Sequence, residues 1–239
     1  MDSKKIICEF KDNAAFITLN NPAKLNCIGF QMLFELEEAL IKIEKGIQVS
    51  VVIFKGAGDR AFSTGADLKE FRLLNEAQAV EWILLGNKVF NKIENLGIPT
   101  IAVINGYAMG GGLELALSCD FRIGTETAVL SSPELQHGWL PGWGGMTRLR
   151  RLVGEAKAKE VVMLCEKIPA GKALELGLIH RIHSNEEDTL AKLVNHLKTI
   201  KPEAFKLAKT ALMDPGRSTY GVDVQFDILA MQIAGELKK

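Results

Sequence analysis

The 239-residue chain has no excess of either charge, no paired cysteines and no leader-like start, and each absence removes a class of function. Lysine plus arginine equals aspartate plus glutamate at 29 each, so a generalised basic surface for nucleic acid or anionic membrane is not expected. Function must come from local sites. Cys8, Cys27, Cys119 and Cys165 fall singly, with no C-x-x-C pair, in apolar surroundings. That arrangement points to reduced core thiols rather than zinc or disulfides. Met1-Asp-Ser-Lys-Lys followed by Ile-Ile-Cys-Glu lacks the long apolar core and the small-residue cleavage site of a signal peptide, so the cytoplasm is the expected location. Residues 98–119 are apolar over enough length to raise a membrane span, but Asn105, three consecutive glycines and Glu114 would be costly in lipid. No linker, low-complexity run or Gly-x-Ser-x-Gly elbow interrupts the chain, which leaves a serine hydrolase with little support.

What is present is a hydrophobic content of 47%, ample for a sizeable core in one domain or one domain plus a small appendage. Short β-prone runs over 6–10 and 14–19, separated by Lys11-Asp12-Asn13, predict an opening hairpin. Phe30, Leu33, Phe34, Leu36, Leu40, Ile41 and Ile43 recur at helical spacing, and Gly46 is a stop signal, so a helix is expected over 31–45. A strand over 49–54 follows. Strand, helix, strand and loop in that order imply a crossover connection and a sheet with parallel character. Residues 70–95 read as one or two helices whose apolar face is Val80, Ile83, Leu84, Val89, Phe90 and Ile93. Further on, short strands are expected over 121–123 and 128–130, helices over 155–165, 170–176 and 186–199, and a helix from Pro202 to about Met213. Gly56-x-Gly58-x-x-Ala61 after a strand has dinucleotide-binding spacing, but Phe62-Ser63-Thr64-Gly65 breaks the helix that such a site needs.

The stretch around which the rest is organised is Ile101-Ala-Val-Ile-Asn-Gly-Tyr-Ala-Met-Gly-Gly-Gly-Leu-Glu-Leu-Ala-Leu-Ser-Cys-Asp120. A buried strand over 101–104 gives way to a glycine triplet, and an apolar helix resumes at Leu113. Glycines at a helix start serve either tight packing alone or the close approach of an oxygen bearing negative charge to bare N–H groups. Glu114 tips the balance toward a site, because a charged glutamate is rarely placed among apolar neighbours without a partner or a task.

This motif resembles the signature of the crotonase superfamily, that of the enoyl-CoA hydratases and isomerases, and the likeness runs over most of the chain. Ala61-Phe62-Ser63-Thr64-Gly65-Ala66-Asp67-Leu68-Lys69 resembles the family's first oxyanion-hole loop. The resemblance implies that the N–H groups of Ala66 and Gly111 receive the thioester oxygen of the substrate and stabilise the enolate that forms there. It also makes Ala66, Asp67, Leu68, Lys69 and Gly111 substrate-binding positions, with Lys69 facing either phosphate or solvent. Read on its own chemistry, Asp67 also suits the N-cap of a helix starting at Leu68. Asn21-Pro-Ala-Lys-Leu-Asn26 resembles the family's Pro-x-x-x-Asn loop and would offer Lys24 to the nucleotide end of CoA. Ser132-Pro-Glu-Leu-Gln-His-Gly-Trp-Leu-Pro-Gly-Trp-Gly-Gly145 resembles the second catalytic loop, and Gly177-Leu-Ile-His-Arg-Ile182 resembles the strand that closes the family's core, which implies a closing strand over 177–182.

Carried over, Glu114 orients and deprotonates water for attack on Cβ, and Glu134 delivers a proton to Cα. Two carboxyls in one apolar pocket do not readily both ionise, so the pair supplies an acid and a base. The chain departs from the pattern at His137, Trp139 and Trp143. His137 either tunes Glu134, belongs to a hydrolytic arrangement, or is a hydrogen-bonded loop residue; Trp139 and Trp143 either line the acyl pocket or pack beneath the loop. The arginines of Thr147-Arg-Leu-Arg-Arg-Leu152 are expected at solvent or subunit contacts.

The expectation is therefore an α/β, crotonase-like spiral of repeated ββα units over 1–190, with a helical region over 191–239 that mediates trimerisation. Its expected function is that of an enoyl-CoA hydratase acting on a 2-trans-enoyl-CoA, with no metal or redox cofactor and CoA as part of the substrate. A Δ3,Δ2-enoyl-CoA isomerase, a decarboxylase or hydrolase working through the same enolate, and a catalytically inactive acyl-CoA-binding subunit are the alternatives. The resemblance further implies a homo-oligomer, a trimer or dimer of trimers held by 202–239. Relatives usually continue beyond the position of Glu236, so a chain ending at Lys239 is expected to leave the acyl site more open.

Overall fold

The computed structural model describes residues 4–46 and 49–213. The chain opens with the expected hairpin, β1 (Ile6–Lys11) against β2 (Ala14–Leu19), antiparallel from Ile6↔Leu19 to Lys11↔Ala14. Asp12 and Asn13 turn it with φ of 50° and 58°, the left-handed pair that a two-residue hairpin loop needs. Helix α1 (Phe30–Glu44) crosses over to β3 (Val51–Gly56), which lies parallel to β2.

Three turns of one pattern follow. Strand β3 passes to β4 (Ala61–Ser63) and the helices α2 (Leu68–Phe71) and α3 (Glu76–Glu94). Strand β5 (Thr100–Ile104) passes to β6 (Tyr107–Met109) and α4 (Gly111–Ser118). Strand β7 (Phe121–Thr125) passes to β8 (Val129–Ser131), a short 3-10 turn at Glu134–His137 and α5 (Gly145–Leu164), which is broken at Gly154. The first strand of each turn joins a six-stranded sheet ordered β1-β2-β3-β5-β7-β10, where β10 is Arg181–His183. The second joins a four-stranded sheet ordered β4-β6-β8-β9, where β9 is Ile168–Pro169. This is a spiral of strand-strand-helix turns, although the turns show no self-similarity in sequence. Helices α6 (Ala170–Glu175), α7 (Glu186–Lys198) and α8 (Pro202–Met213) complete the described chain. Residues 214–239, on which most of the expected oligomerisation segment falls, lie outside the described residues.

The large sheet is covered on both faces, which is why its strands read as continuous apolar runs. Val52 and Phe54 of β3 join the main core with Phe62, Trp82 and Phe90, while Val51 and Ile53 face a second layer formed by Leu193, Val194 and Leu197 of α7. Two expectations need correction. The buried face of α3 is Trp82, Leu85, Gly86, Val89, Phe90 and Ile93, and Val80, Ile83 and Leu84 are exposed. Gly86 decides the phase, since a Cβ there would fall 2.4 Å from Trp143 Cδ1, so this face is the one that admits the indole. The closing strand over 177–182 is confined to its end, because Leu178 and Ile179 turn into the core before pairing begins at Arg181↔Ile123.

A single side chain ties the first crossover to the second sheet. Asn26, fully buried, donates through Nδ2 to Ala57 O (3.0 Å) and Ala61 O (2.9 Å), and its Oδ1 accepts from Asn21 N at 2.9 Å. Its φ of 55° is one that asparagine tolerates better than most residues. Asn26→Ala orphans these buried groups, and we expect a loss of about 2–4 kcal/mol in reversible urea unfolding. A loss below ~1 kcal/mol would show that the loop repacks without it.

Candidate active site

The loops that follow β4, β6 and β8 converge on one cavity of about 160 Å³. After β4, Gly65 takes φ +86°, and a Cβ there would come within 2.7 Å of Gly111 N. Only a glycine lets this loop lie against the start of α4. Gly112 is packed just as tightly, since its Cβ would fall 2.1 Å from Ser63 O. As a result Ala66 and Gly111 both border the cavity, and their N–H groups have no acceptor among the described residues. A Cβ on Gly111 would lie 3.5 Å from Ala66 N, so the two donors share one corner. The triplet is thus packed tightly and also leaves bare N–H groups at the start of α4.

Glu114 sits in the first turn of α4 and is 4% exposed. Its Oε1 accepts from the backbone N–H of Trp143 at 2.8 Å and of Gly145 at 2.7 Å. Burial pushes its carboxyl up to about 7; the Gly145 amide opposes that rise, the Glu134 charge adds to it, and the Trp143 amide and Arg148 oppose it. Glu134 opens the 3-10 turn after Pro133 and borders the same cavity. Burial raises its pKa as well, while a hydrogen bond from Ser132 Oγ to Oε2 (2.7 Å) and the His137 ring work against the rise. Its Oε1 is buried and has no partner among the described residues. Although twenty positions apart in sequence, the two carboxyls border one cavity, and the Glu134 charge reaches Glu114.

Aromatic side chains form the rest of the wall. Trp143 is buried beneath Gly111 and meets Trp82 edge-on at 5.6 Å and Phe90 at 5.3 Å between ring centroids. Trp139 meets Phe71 edge-on at 4.9 Å, and both border the cavity along with Ile83 and Leu140. Trp139 and Trp143 are therefore pocket walls, and Trp143 is packed beneath the loop as well. His137 is exposed and tilts against Trp139 at 6.0 Å, and its charge works on the Glu134 carboxyl.

Of the first-loop positions, Ala66 and Leu68 border the cavity, whereas Asp67, Lys69 and Lys24 do not. Asp67 caps α2, with Oδ1 accepting from Lys69 N (3.1 Å) and Glu70 N (3.3 Å), and its Oδ2 takes Lys24 Nζ at 2.7 Å. Burial alone would raise the Asp67 carboxyl, yet the Lys24 ammonium and the Glu70 amide hold it below its usual value. Lys69 is exposed to solvent. Among the described residues no three His, Cys, Asp or Glu side chains cluster as metal ligands, and no helix is long and apolar enough to cross a membrane.

Sequence reasoning missed Ser132, Phe71, Trp82 and Arg148. The first had a signal, a serine two residues before a glutamate in a turn. The second and third lie within 70–95, where the sequence reads only as helices with an apolar face. Arg148 overturns the reading of the basic helix as surface: it is 4% exposed and points inward.

Residues 9–230 match the family model described as enoyl-CoA hydratase/isomerase. The chain is 37% identical over 214 residues to a short-chain-enoyl-CoA hydratase of Clostridium acetobutylicum, covering 89% of this chain and 82% of that protein. It is 35% identical over 213 residues to a crotonyl-CoA hydratase of Syntrophomonas wolfei, covering 88% and 82%. Among solved structures, that of an enoyl-CoA hydratase from Bacillus anthracis superposes with a TM-score of 0.90 at 34% identity, over 95% of this chain and 90% of that one.

The raised carboxyl has a thermodynamic signature. Unfolded, Glu114 titrates near 4.5, and folded, near 7. Between those values the native state holds more protons than the unfolded chain, so this residue's contribution to stability falls as pH rises through the window. Glu114→Gln removes the titration while its amide oxygen still accepts from Trp143 and Gly145. At about pH 8 we expect the variant to exceed the wild type by on the order of 3 kcal/mol, an advantage that disappears below about pH 4.5. Urea unfolding at both pH values measures it, and an advantage independent of pH would contradict the buried titration.

Proposed function

The chain belongs to the enoyl-CoA hydratase/isomerase family, and on that premise we propose that it adds water across the double bond of a short 2-trans-enoyl-CoA. The observation that carries this reading is a carboxylate pinned by two backbone N–H groups in a cavity that also holds a second carboxyl and two amides with no acceptor among the described residues. The thioester oxygen docks on the N–H groups of Ala66 and Gly111, which draw electron density from the conjugated double bond. Glu114 takes a proton from water while the water oxygen bonds to Cβ. The π pair moves to Cα and onto the thioester oxygen, and Glu134 supplies the proton that completes the Cα–H bond. The proton gained by Glu114 and the one lost by Glu134 are equalised through solvent before the next turnover.

The division of labour follows the hydrogen bonds. Two amide donors favour the ionised form of Glu114, the form that a base needs. Glu134 has a single hydroxyl donor opposing the effect of burial, and its other oxygen is buried with no partner among the described residues, so burial favours the neutral form that an acid needs. The reaction so drawn uses no metal or redox cofactor, with CoA as the carrier of the substrate. The four cysteines stand free, which fits work in the cytoplasm. Assembly as a trimer or dimer of trimers through 191–239 belongs to the same reading, and the exposed Met163, Leu164 and Leu212 on α5 and α8 support it. Light scattering at micromolar concentration tests it, and a monomer would contradict it.

Loss of enoyl absorbance from crotonyl-CoA measures turnover directly. Glu114→Gln and Glu134→Gln are each expected to lower kcat at least about a hundredfold with folding retained. Near-wild-type hydration by either variant would overturn the two-carboxyl mechanism.

A further inference from the structure

Arg148 lies in the first turn of α5, and every polar atom of its guanidinium is engaged. Its Nη1 donates to the carbonyl of Trp143 at 2.7 Å. Its Nε reaches Glu94 Oε2 at 2.9 Å, and its Nη2 reaches Asn91 Oδ1 and Glu94 Oε2, each at 2.7 Å. Asn91 and Glu94 both stand on α3. The residue whose carbonyl Arg148 holds is the one whose N–H donates to Glu114, and the Gly145 N–H that makes the second bond lies two positions on. A Cβ on Gly144 would fall 2.4 Å from Nη1, so the loop is folded directly over the guanidinium.

We propose that Arg148 is a positioning residue for the hydration step, fastening the 143–145 loop to α3 so that two peptide N–H groups stay aimed at Glu114. This inference rests on the function proposed above. It acts through the loop, since Arg148 does not border the cavity. A lysine would supply the charge without the planar fork that spans Trp143, Asn91 and Glu94 at once. The charged groups acting on Glu114 are Glu134 from the second loop and Arg148 from α5. The Arg148 charge is in turn offset by Glu94 of α3, whose other carboxylate oxygen pairs with Arg151. Removing the guanidinium slackens two hydrogen bonds that favour the carboxylate and takes away one positive charge, and both changes make Glu114 harder to ionise.

The test compares Arg148→Met, Arg148→Lys and Asn91→Ala with the wild type in the full chain. Arg148→Met is expected to lower kcat for crotonyl-CoA about ten- to a hundredfold, with KM little changed, and to move the acid limb of the kcat profile up by about one pH unit. Arg148→Lys should move the limb less. In both, amide exchange of the 143–145 segment should quicken relative to β3 and β5. Asn91→Ala removes one exposed anchor and should produce the same exchange effect in smaller measure, which keeps the proposal testable if Arg148→Met does not fold. An unshifted acid limb together with wild-type exchange in 143–145 would overturn the positioning role, even if stability falls. A wild type that does not hydrate crotonyl-CoA would overturn the functional reading instead, while the exchange measurement still tests the clamp.

Discussion

The constraint on which this structure depends is a carboxylate buried in an apolar helix and satisfied by two peptide N–H groups. An unpaired charge at that depth would simply take up a proton. The donors reach it only because a loop from the next turn of the spiral passes within 3 Å of the α4 side chain. A Cβ on Gly145 would fall 2.8 Å from Glu114 Cγ, so the donor peptide has no room for any other residue. The same loop is tied to α3 by Arg148, so α3 is linked through one side chain to the peptides that bind the carboxylate of α4 at the start of α5.

The two-sheet arrangement makes that meeting reproducible. Each turn crosses from the large sheet to the small one before entering its helix, so the loops after β4, β6 and β8 arrive at the same edge. The large sheet is filled from both faces, which gives those loops a support with little freedom to shift. Asn26 and Asn105 fasten the crossings. The Asn105 side chain donates to Gly56 O at 3.1 Å and to Gly58 O at 2.5 Å, bridging the end of β5 to the loop after β3. Sites built on supports of this kind hold their geometry better than sites on free loops.

How much of this was legible in the sequence varied with the physics of each residue. The order of elements was legible because turn residues separate apolar runs, and Glu114 was conspicuous because its neighbours are apolar. Strand β6 was not, since Tyr107-Ala-Met109 lies between Asn105-Gly106 and the glycine triplet, and its pairing with β4 and β8 is entirely non-local. The phase of α3 was misjudged because hydrophobicity alone ranks Val80 and Leu84 with Val89. The packing of Trp143 against Gly86 is what selects the face, and it comes from a loop more than fifty residues away. Arg148 was misread for a similar reason. Three arginines within four residues look alike in composition, but only the first falls on the inner face of α5, while Arg150 and Arg151 remain outside.

Trp143 occupies two positions in this scheme at once. Its peptide N–H holds the base, and its indole forms the floor under Gly111. Pocket width and proton transfer are thereby written into one residue. A change of acyl preference achieved by shrinking this indole would disturb the loop backbone that sets the reactivity of Glu114. Selectivity can drift more freely where Phe71, Trp139 and Leu140 border the cavity, since none of their backbone N–H groups donates to Glu114. Divergence among chains of this architecture should accordingly be written at the mouth of the pocket, with its floor held fixed by the chemistry above it.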